Sequence, residues 1–478
     1  MKNVLYHEIL HQKHFEEMTR IPHGSGNEKA YSDYLAGWAA ARGLSYVQDE
    51  IGNVIIYKAA SAGYEDHAPV LLQAHMDMVC NAVPESTHDF TKDPLELYVE
   101  EDWLKTRGTT LGADDGVGIA YMLALLEDDT LCHPPLECVF TVQEEVGCNG
   151  AAALKKEYFQ ARRMIAMDDV GGGTSYVTTA GCHLMRFSRP VSMEPSAGPV
   201  YELDIRGLLG GHSGVDIEKE RGNAVELAVR TLYGLLEEGG LQLIWADLGA
   251  ATNVIADSGK IAFTTELDPE QVKDHVAAME ARFRKELEFS DAGLVMTLTC
   301  GESLGQAVCI EDTREILQFF RLLKTGMQHM SMRFEGLTMA SANMGTLKLK
   351  DGQMTADYST RSALTSYLES LAEEQTLLCR LFHMKRQVLA RVAAFDYIEN
   401  SPIRKELEQA FTEVTGRALQ PIFVHGAIEA AYFKELYPEM DIVTIGPLVV
   451  DEHMPTERLS LKSFDEIWEV LKNLLARL

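Results

Sequence analysis

The residues with the most chemical potential in this 478-residue chain are acidic pairs and isolated histidines that follow short apolar runs. His75 and Asp77 flank Met76 just after Pro69–Ala74. On an extended backbone, residues two apart share a side, so this imidazole and carboxylate can cooperate. In a metal site the carboxylate would stand behind the ligating ring and fix its tautomer. Taken alone, the triplet reads more readily as a polar loop. In Gly108–Ala120, Asp114 and Asp115 open an apolar helix, with glycines supplying the turn. One aspartate is enough for an N-cap. The second must share the site with the first, and a dication would relieve their repulsion.

Glu144 and Glu145 raise the same question after Leu136–Val142. They are either a solvated surface turn or a working pair, in which one carboxylate binds metal and its neighbour takes a proton from water. Asp168 and Asp169 follow Met164–Met167 and precede Gly171-Gly172-Gly173, whose spacing is not that of a dinucleotide or phosphate loop. Gly210-Gly211-His212-Ser213-Gly214 lacks a Walker lysine, and His212 there reads either as a turn histidine or as a site residue. His453 comes a short loop after the strand-like Asp441–Ile445. His425 and Glu429 have helical i, i+4 spacing, which predicts that they face one way; an intrahelical polar pair is a sufficient structural account of them.

The elements needed to position these groups are legible in outline. Ile51–Ile56, Pro69–Ala74, Leu136–Val142 and Met164–Met167 read as short strands with helical stretches between them. That alternation predicts an α/β catalytic domain with a central mixed sheet flanked by helices, and such sheets collect ligands at the carboxyl ends of their strands. From about residue 184 to 396 the texture changes to alternating strands such as Val200–Ile205 and Ile261–Leu267, with amphipathic helices at Asn223–Leu236 and Pro269–Lys285. This predicts an inserted α+β domain over 184–396 within a discontinuous catalytic domain over 1–183 and 397–478. Helix Pro402–Thr415 belongs to the returning segment.

Composition narrows the partners. Hydrophobic residues at 46% and charged ones at 24% describe a folded protein long enough for two domains. With 72 acidic against 43 basic side chains the formal charge is −29, so neither nucleic acid nor an anionic membrane is an expected partner. The N-terminal stretch lacks a signal-peptide core and no 18-residue apolar run follows, which predicts a cytoplasmic protein. The eight cysteines are scattered without C-x-x-C spacing and are expected to be buried free thiols.

Taken together, the segments Gln73–Val79, Thr110–Gly116, Glu144–Gly147, Gly210–Gly214, His425–Glu429 and Ile445–Pro447 give this sequence, over essentially its whole length, a pattern that resembles the aminoacyl-histidine dipeptidases (Xaa-His dipeptidase, peptidase D) among the cocatalytic zinc peptidases. The resemblance implies hydrolysis of dipeptides with two divalent metal ions, most simply zinc, with manganese or cobalt as alternatives. It makes His75, Asp114, Glu145, Asp168 and His453 metal ligands, with Asp114 the bridge. It makes Glu144 the general base, Asp77 the residue that orients His75, and His212 with Asn253 the oxyanion contacts. Asn343, Arg361 and Gly426 are implied to bind substrate, and the inserted domain to be a lid through which a homodimer forms. Relatives carry a run of acids after the aspartate at position 168, whereas here Asp169 is followed by Val170 and glycines, which makes Asp169 a rival ligand. The alternatives are an aminoacylase-like amidohydrolase or a tripeptide aminopeptidase using the same metals, and a non-catalytic binding protein on the same scaffold.

Overall fold

The computed structural model describes residues 3–196, 198–426 and 428–478. Met1 and Lys2 of the N-terminal stretch, and Ala427 of the His425–Glu429 motif, lie outside the described residues. The chain divides into two compact units. One holds the residues up to Thr178, then Tyr397–Phe423 and Ile428–Leu478; the other holds Thr179–Asp396 and a short return that begins at Val424.

The first unit is built on a mixed sheet of β1 (Ser45–Gln48), β2 (Val54–Lys58), β3 (Val70–His75), β4 (Leu136–Thr141), β5 (Arg163–Ala166) and β6 (Asp441–Thr444), in the spatial order β1-β2-β4-β3-β5-β6. The β1/β2 and β2/β4 pairs are antiparallel, while β4/β3, β3/β5 and β5/β6 are parallel. Every residue of β3 and β4 is buried, as expected of central strands covered on both faces, whereas β1 at the edge is largely exposed. The strand expected from Ile51 begins only at Val54, because Asp49 Oδ1 accepts the backbone N–H groups of Ile51, Gly52 and Asn53 and holds them in a turn.

Helix α1 (Leu10–Met18) packs on α2 (Ala113–Glu127), whose residues from Gly116 to Leu126 are all buried. The α2 helix approaches β3 so closely that a Cβ on Gly118 would lie 2.8 Å from that of Ala74 and 2.7 Å from that of Met167. A glycine is therefore required there. The terminal helix α3 (Leu461–Leu475) completes the layer, with Tyr121 packed against Phe464 and Trp468 and donating its hydroxyl to the Phe464 carbonyl at 2.7 Å.

The second unit contains, among the described residues, a ten-stranded antiparallel sheet running from Val295–Gly301 at one edge through Val200–Arg206, Gly259–Thr264 and Gln242–Leu248 to Gln353–Ser362 and beyond. Helices Ala224–Gly239, Pro269–Glu286 and Ile310–Leu322 contribute their apolar faces to its core. The first begins one residue later than its pattern predicts because Asn223 is its cap, accepting from the Val225 and Glu226 N–H groups.

Two expectations need correction. Glu429 is the N-cap of helix Ala430–Leu436, so His425 and Glu429 do not share a helix and are not an intrahelical pair. All eight cysteines are free, yet only Cys138, Cys148, Cys182 and Cys379 are buried, while Cys80, Cys132 and Cys300 are exposed. No helix among the described residues is long and apolar enough to cross a membrane.

Candidate metal centre

Parallel strands carry their carboxyl ends to one side of the first unit's sheet, and the chemistry gathers there. β3 ends on His75, paired in register with Thr141 at the end of β4, three residues before Glu144. β5 ends two residues before Asp168, and β6 leads into the loop that carries His453. His75 Nε2 lies 3.0 Å from Asp114 Oδ1. His453 Nε2 lies 3.2 Å from Asp114 Oδ2 and 2.9 Å from Glu145 Oε1. Donor atoms of His75, Asp114 and Asp168 fall within 4.8 Å of one another, and so do those of Asp114, Glu145 and His453. Asp114 belongs to both triads. A third grouping joins His75, Glu144 and Glu145.

The adjacent acids divide their work. Asp115 Oδ1 accepts from the Gly118 N–H and Oδ2 from the His75 N–H, both at 3.3 Å, so Asp115 caps the continuing helix and Asp114 is left for the cluster. Asp169 is spent on its own turn, accepting from Thr174 Oγ1, the Gly171 N–H and Thr444 Oγ1, and it is Asp168 that joins His75 and Asp114. Asp77 meets His75 twice: Nδ1 lies 3.0 Å from the Asp77 backbone carbonyl and 3.6 Å from its carboxylate. That carboxylate also accepts from Ser25 Oγ at 2.8 Å, the Glu144 N–H at 2.9 Å and the Glu145 N–H at 3.2 Å, so it fixes the turn that presents the two glutamates.

Electrostatics mark the cluster as a place of concentrated negative charge. Burial resists charging of His75, and the Asp114 and Asp77 carboxylates override it, holding the ring well above its ordinary pKa. His453 is raised to about 10, by Asp114 first and Glu145 second. Burial and then the Asp114 charge push Asp168 well above the usual carboxylate range. Glu144 is raised too, by burial and by the charges of Glu145 and Asp114, against the lowering effect of His75. Glu145 Oε1 is buried, with His453 Nε2 as its neighbour. Two imidazole nitrogens and three carboxylates form an N/O set that zinc accepts, and their crowding is what a divalent cation relieves. These residues fit a pair of cations sharing Asp114.

The residues implied to handle substrate belong to the second unit. Arg361 lies on strand Gln353–Ser362, 7% exposed, with its Nε buried and unpaired. Its charge adds to burial in lowering the pKa of His212 and in taking that of His425 down to about 3. His212 is held on its loop by its N–H donating to Asp216 Oδ2 at 2.9 Å, while its Nδ1 accepts from the Gly214 N–H at 3.2 Å. Asn253 is exposed, its carbonyl accepting from the Ser213 N–H. Asn343 commits its amide to the Thr252 and Val254 carbonyls and its Oδ1 to Asn223, which makes it a brace for the Asn253 loop. Gly426 offers its carbonyl to the Ala180 N–H, and neighbouring His425 Nε2 meets Ser341 Oγ at 2.7 Å.

Several supporting residues escape a sequence reading. Cys148 Sγ donates to Glu144 Oε1 at 3.4 Å. Glu429 accepts from Gln73 Nε2 on β3 and Thr141 Oγ1 at the end of β4. Glu457 accepts from the backbone immediately before Asp114. The only advance signal for Glu457 is its position four residues after His453.

The sequence profile of Peptidase family M20/M25/M40 matches residues 71–477. The chain belongs to this family of peptide hydrolases. It is 32% identical to the cytosol non-specific dipeptidase of Escherichia coli (strain K12) over 469 residues, which cover 96% of each protein. Its fold is similar to that of the aminoacylhistidine dipeptidase from Vibrio alginolyticus, with a TM-score of 0.88 and 28% identity over 98% of this chain and 96% of that one. A likeness in fold alone extends to the aminopeptidase PepT from Bacillus cereus ATCC 10987, with a TM-score of 0.51 and 16% identity over 99% of each chain.

Proposed function

We propose that this chain is a cytoplasmic dipeptidase that hydrolyses Xaa-His and other dipeptides with two divalent cations, zinc in preference to manganese or cobalt. One observation carries the reading: two histidine–carboxylate triads share Asp114, and Glu144 stands beside them. His75, Asp114 and Asp168 hold one cation, and Asp114, Glu145 and His453 the other. When bound, such a pair supplies Lewis acidity toward the scissile carbonyl and makes water more acidic.

The proton work falls to Glu144. Its turn is clamped from behind by the Asp77 carboxylate, and its Oε1 is engaged by Cys148, which leaves Oε2 to take the proton from the attacking water and pass it to the departing amine. Burial raises its proton affinity above that of an exposed glutamate, as both transfers require. In the second unit, His212 and Asn253 stabilise the oxyanion, and Arg361 holds the substrate carboxylate. Asn343 supports Asn253, Gly426 offers backbone contact, and this unit acts as a lid through which two copies pair.

A substrate panel tests the reading. Metal-loaded enzyme is assayed on Xaa-His dipeptides, carnosine-like compounds, other dipeptides, tripeptides and N-acyl amino acids. Dipeptides are the expected substrates. Preferential cleavage of N-acyl amino acids or tripeptides would replace this reading with an amidohydrolase or a tripeptide aminopeptidase, and an inert metal-loaded protein would leave a binding protein.

A further inference from the structure

We propose that Glu457 is a positioning residue that locks Asp114 and His453 into a common frame. The inference rests on the reading of those two side chains as cation ligands. Glu457 is 3% exposed, and its carboxylate receives three successive backbone N–H groups. Oε2 accepts from Leu111 at 2.7 Å and Gly112 at 3.2 Å, and Oε1 accepts from Ala113 at 2.8 Å.

Three consecutive N–H groups outside a helix converge on one anion where the chain turns through a left-handed residue, forming a nest. Gly112 is that residue, with φ +68°, and a Cβ there would come 3.0 Å from Met78 Sδ. The carboxylate thus fixes the backbone immediately before Asp114, the side chain shared by both triads.

Its other end is tied to His453. The Glu457 N–H donates to the Met454 carbonyl at 3.0 Å, closing a turn that starts one residue after that histidine. Asn81 adds a parallel strap, donating to the His453 carbonyl at 3.3 Å and accepting from the Thr110 N–H at 2.9 Å. Segments more than 300 residues apart in sequence are therefore joined at a buried carboxylate and at Asn81. A glutamine at 457 has the same size but turns an N–H₂ group toward a backbone N–H, so one side of the clamp opens.

The test uses the full-length protein stripped of metal and titrated with cobalt(II), reading affinity by competition with a chromophoric chelator and geometry by the visible ligand-field spectrum. Glu457→Gln is expected to bind cobalt about tenfold or more weakly, in the range of supporting residues around metal ligands, and to shift the spectrum. Glu457→Asp restores part of the affinity. Gly112→Ala keeps the carboxylate but disturbs the nest, and it weakens binding in the same direction, which covers the case of a Gln variant that does not fold. A Glu457→Gln protein with parent-like affinity and spectrum overturns the inference, and so does one that only melts earlier without metal. Asp114→Asn, run alongside, separates the two levels. If it loses cobalt while Glu457→Gln does not, only this inference fails; if it binds cobalt as the parent does, the ligand assignment itself fails.

Discussion

Replacing Glu429 with glutamine should stabilise the first unit at neutral and alkaline pH and leave it unchanged in acid. Glu429 is 1% exposed; Oε2 accepts from Gln73 Nε2 at 2.7 Å and Thr141 Oγ1 at 2.6 Å, while Oε1 is buried without a partner. Burial, then the nearby Glu144 charge, pushes the carboxyl from an ordinary 4.5 to about 8. The folded protein therefore keeps this proton up to about pH 8, whereas the unfolded chain gives it up above 4.5. In that window the unfolded state binds fewer protons, so stability falls as pH rises, by about 1.4 kcal/mol per pH unit, and the loss is complete above the folded pKa.

Across the window the loss comes to roughly 5 kcal/mol at most, and roughly 3–5 kcal/mol after relaxation around a buried charge. Glutamine does not titrate, and its carbonyl can occupy the position of Oε2 and keep both donors. The variant should match the parent below pH 4.5 and then pull away, reaching a Tm on the order of 10 °C higher by pH 8.5 for a unit of this size. Thermal melts of both proteins from pH 4 to 9, in chelator so that no cation offsets the charge, give the difference curve. Parallel curves would refute the reasoning, as would a variant destabilised equally at every pH, because either result makes Glu429 an ordinary hydrogen-bonding partner.

Glu144→Gln should lower kcat by about 10²–10⁴-fold while cation stoichiometry stays at the parent value. A lost cation would instead make Glu144 a ligand, as its grouping with His75 and Glu145 allows. Cys148→Ala removes the thiol 3.4 Å from Glu144 Oε1 and should reduce kcat a few-fold with KM unchanged. A parent-like kcat in steady-state assays would show that the thiol does not hold the base.

The five proposed ligands were legible because each follows a strand signal or opens a helix, and parallel strands bring their ends together whatever the register of the loops. Asp114 and Asp115 posed the right question in sequence, since one cap needs one aspartate, and the structure divides them accordingly. What sequence could not supply is long-range pairing. The spacing of Asp77 points to the ring two residues away, which its carboxylate does face at 3.6 Å, but gives no sign of the amides some 67 residues on that the same carboxylate also accepts from. Glu457 and Cys148 have no periodicity or motif that announces a partner, and they acquire meaning only from Leu111–Ala113 and Glu144. The spacing of His425 and Glu429 suggested one helix because i, i+4 is a necessary condition for such a pair and not a sufficient one.

Anomalous scattering at the zinc edge from metal-loaded crystals tests the central claim most directly. Two peaks are expected, one bounded by His75, Asp114 and Asp168 and the other by Asp114, Glu145 and His453, with the Asp114 carboxylate between them. Peaks elsewhere, or a single peak that leaves either triad empty, would contradict the account.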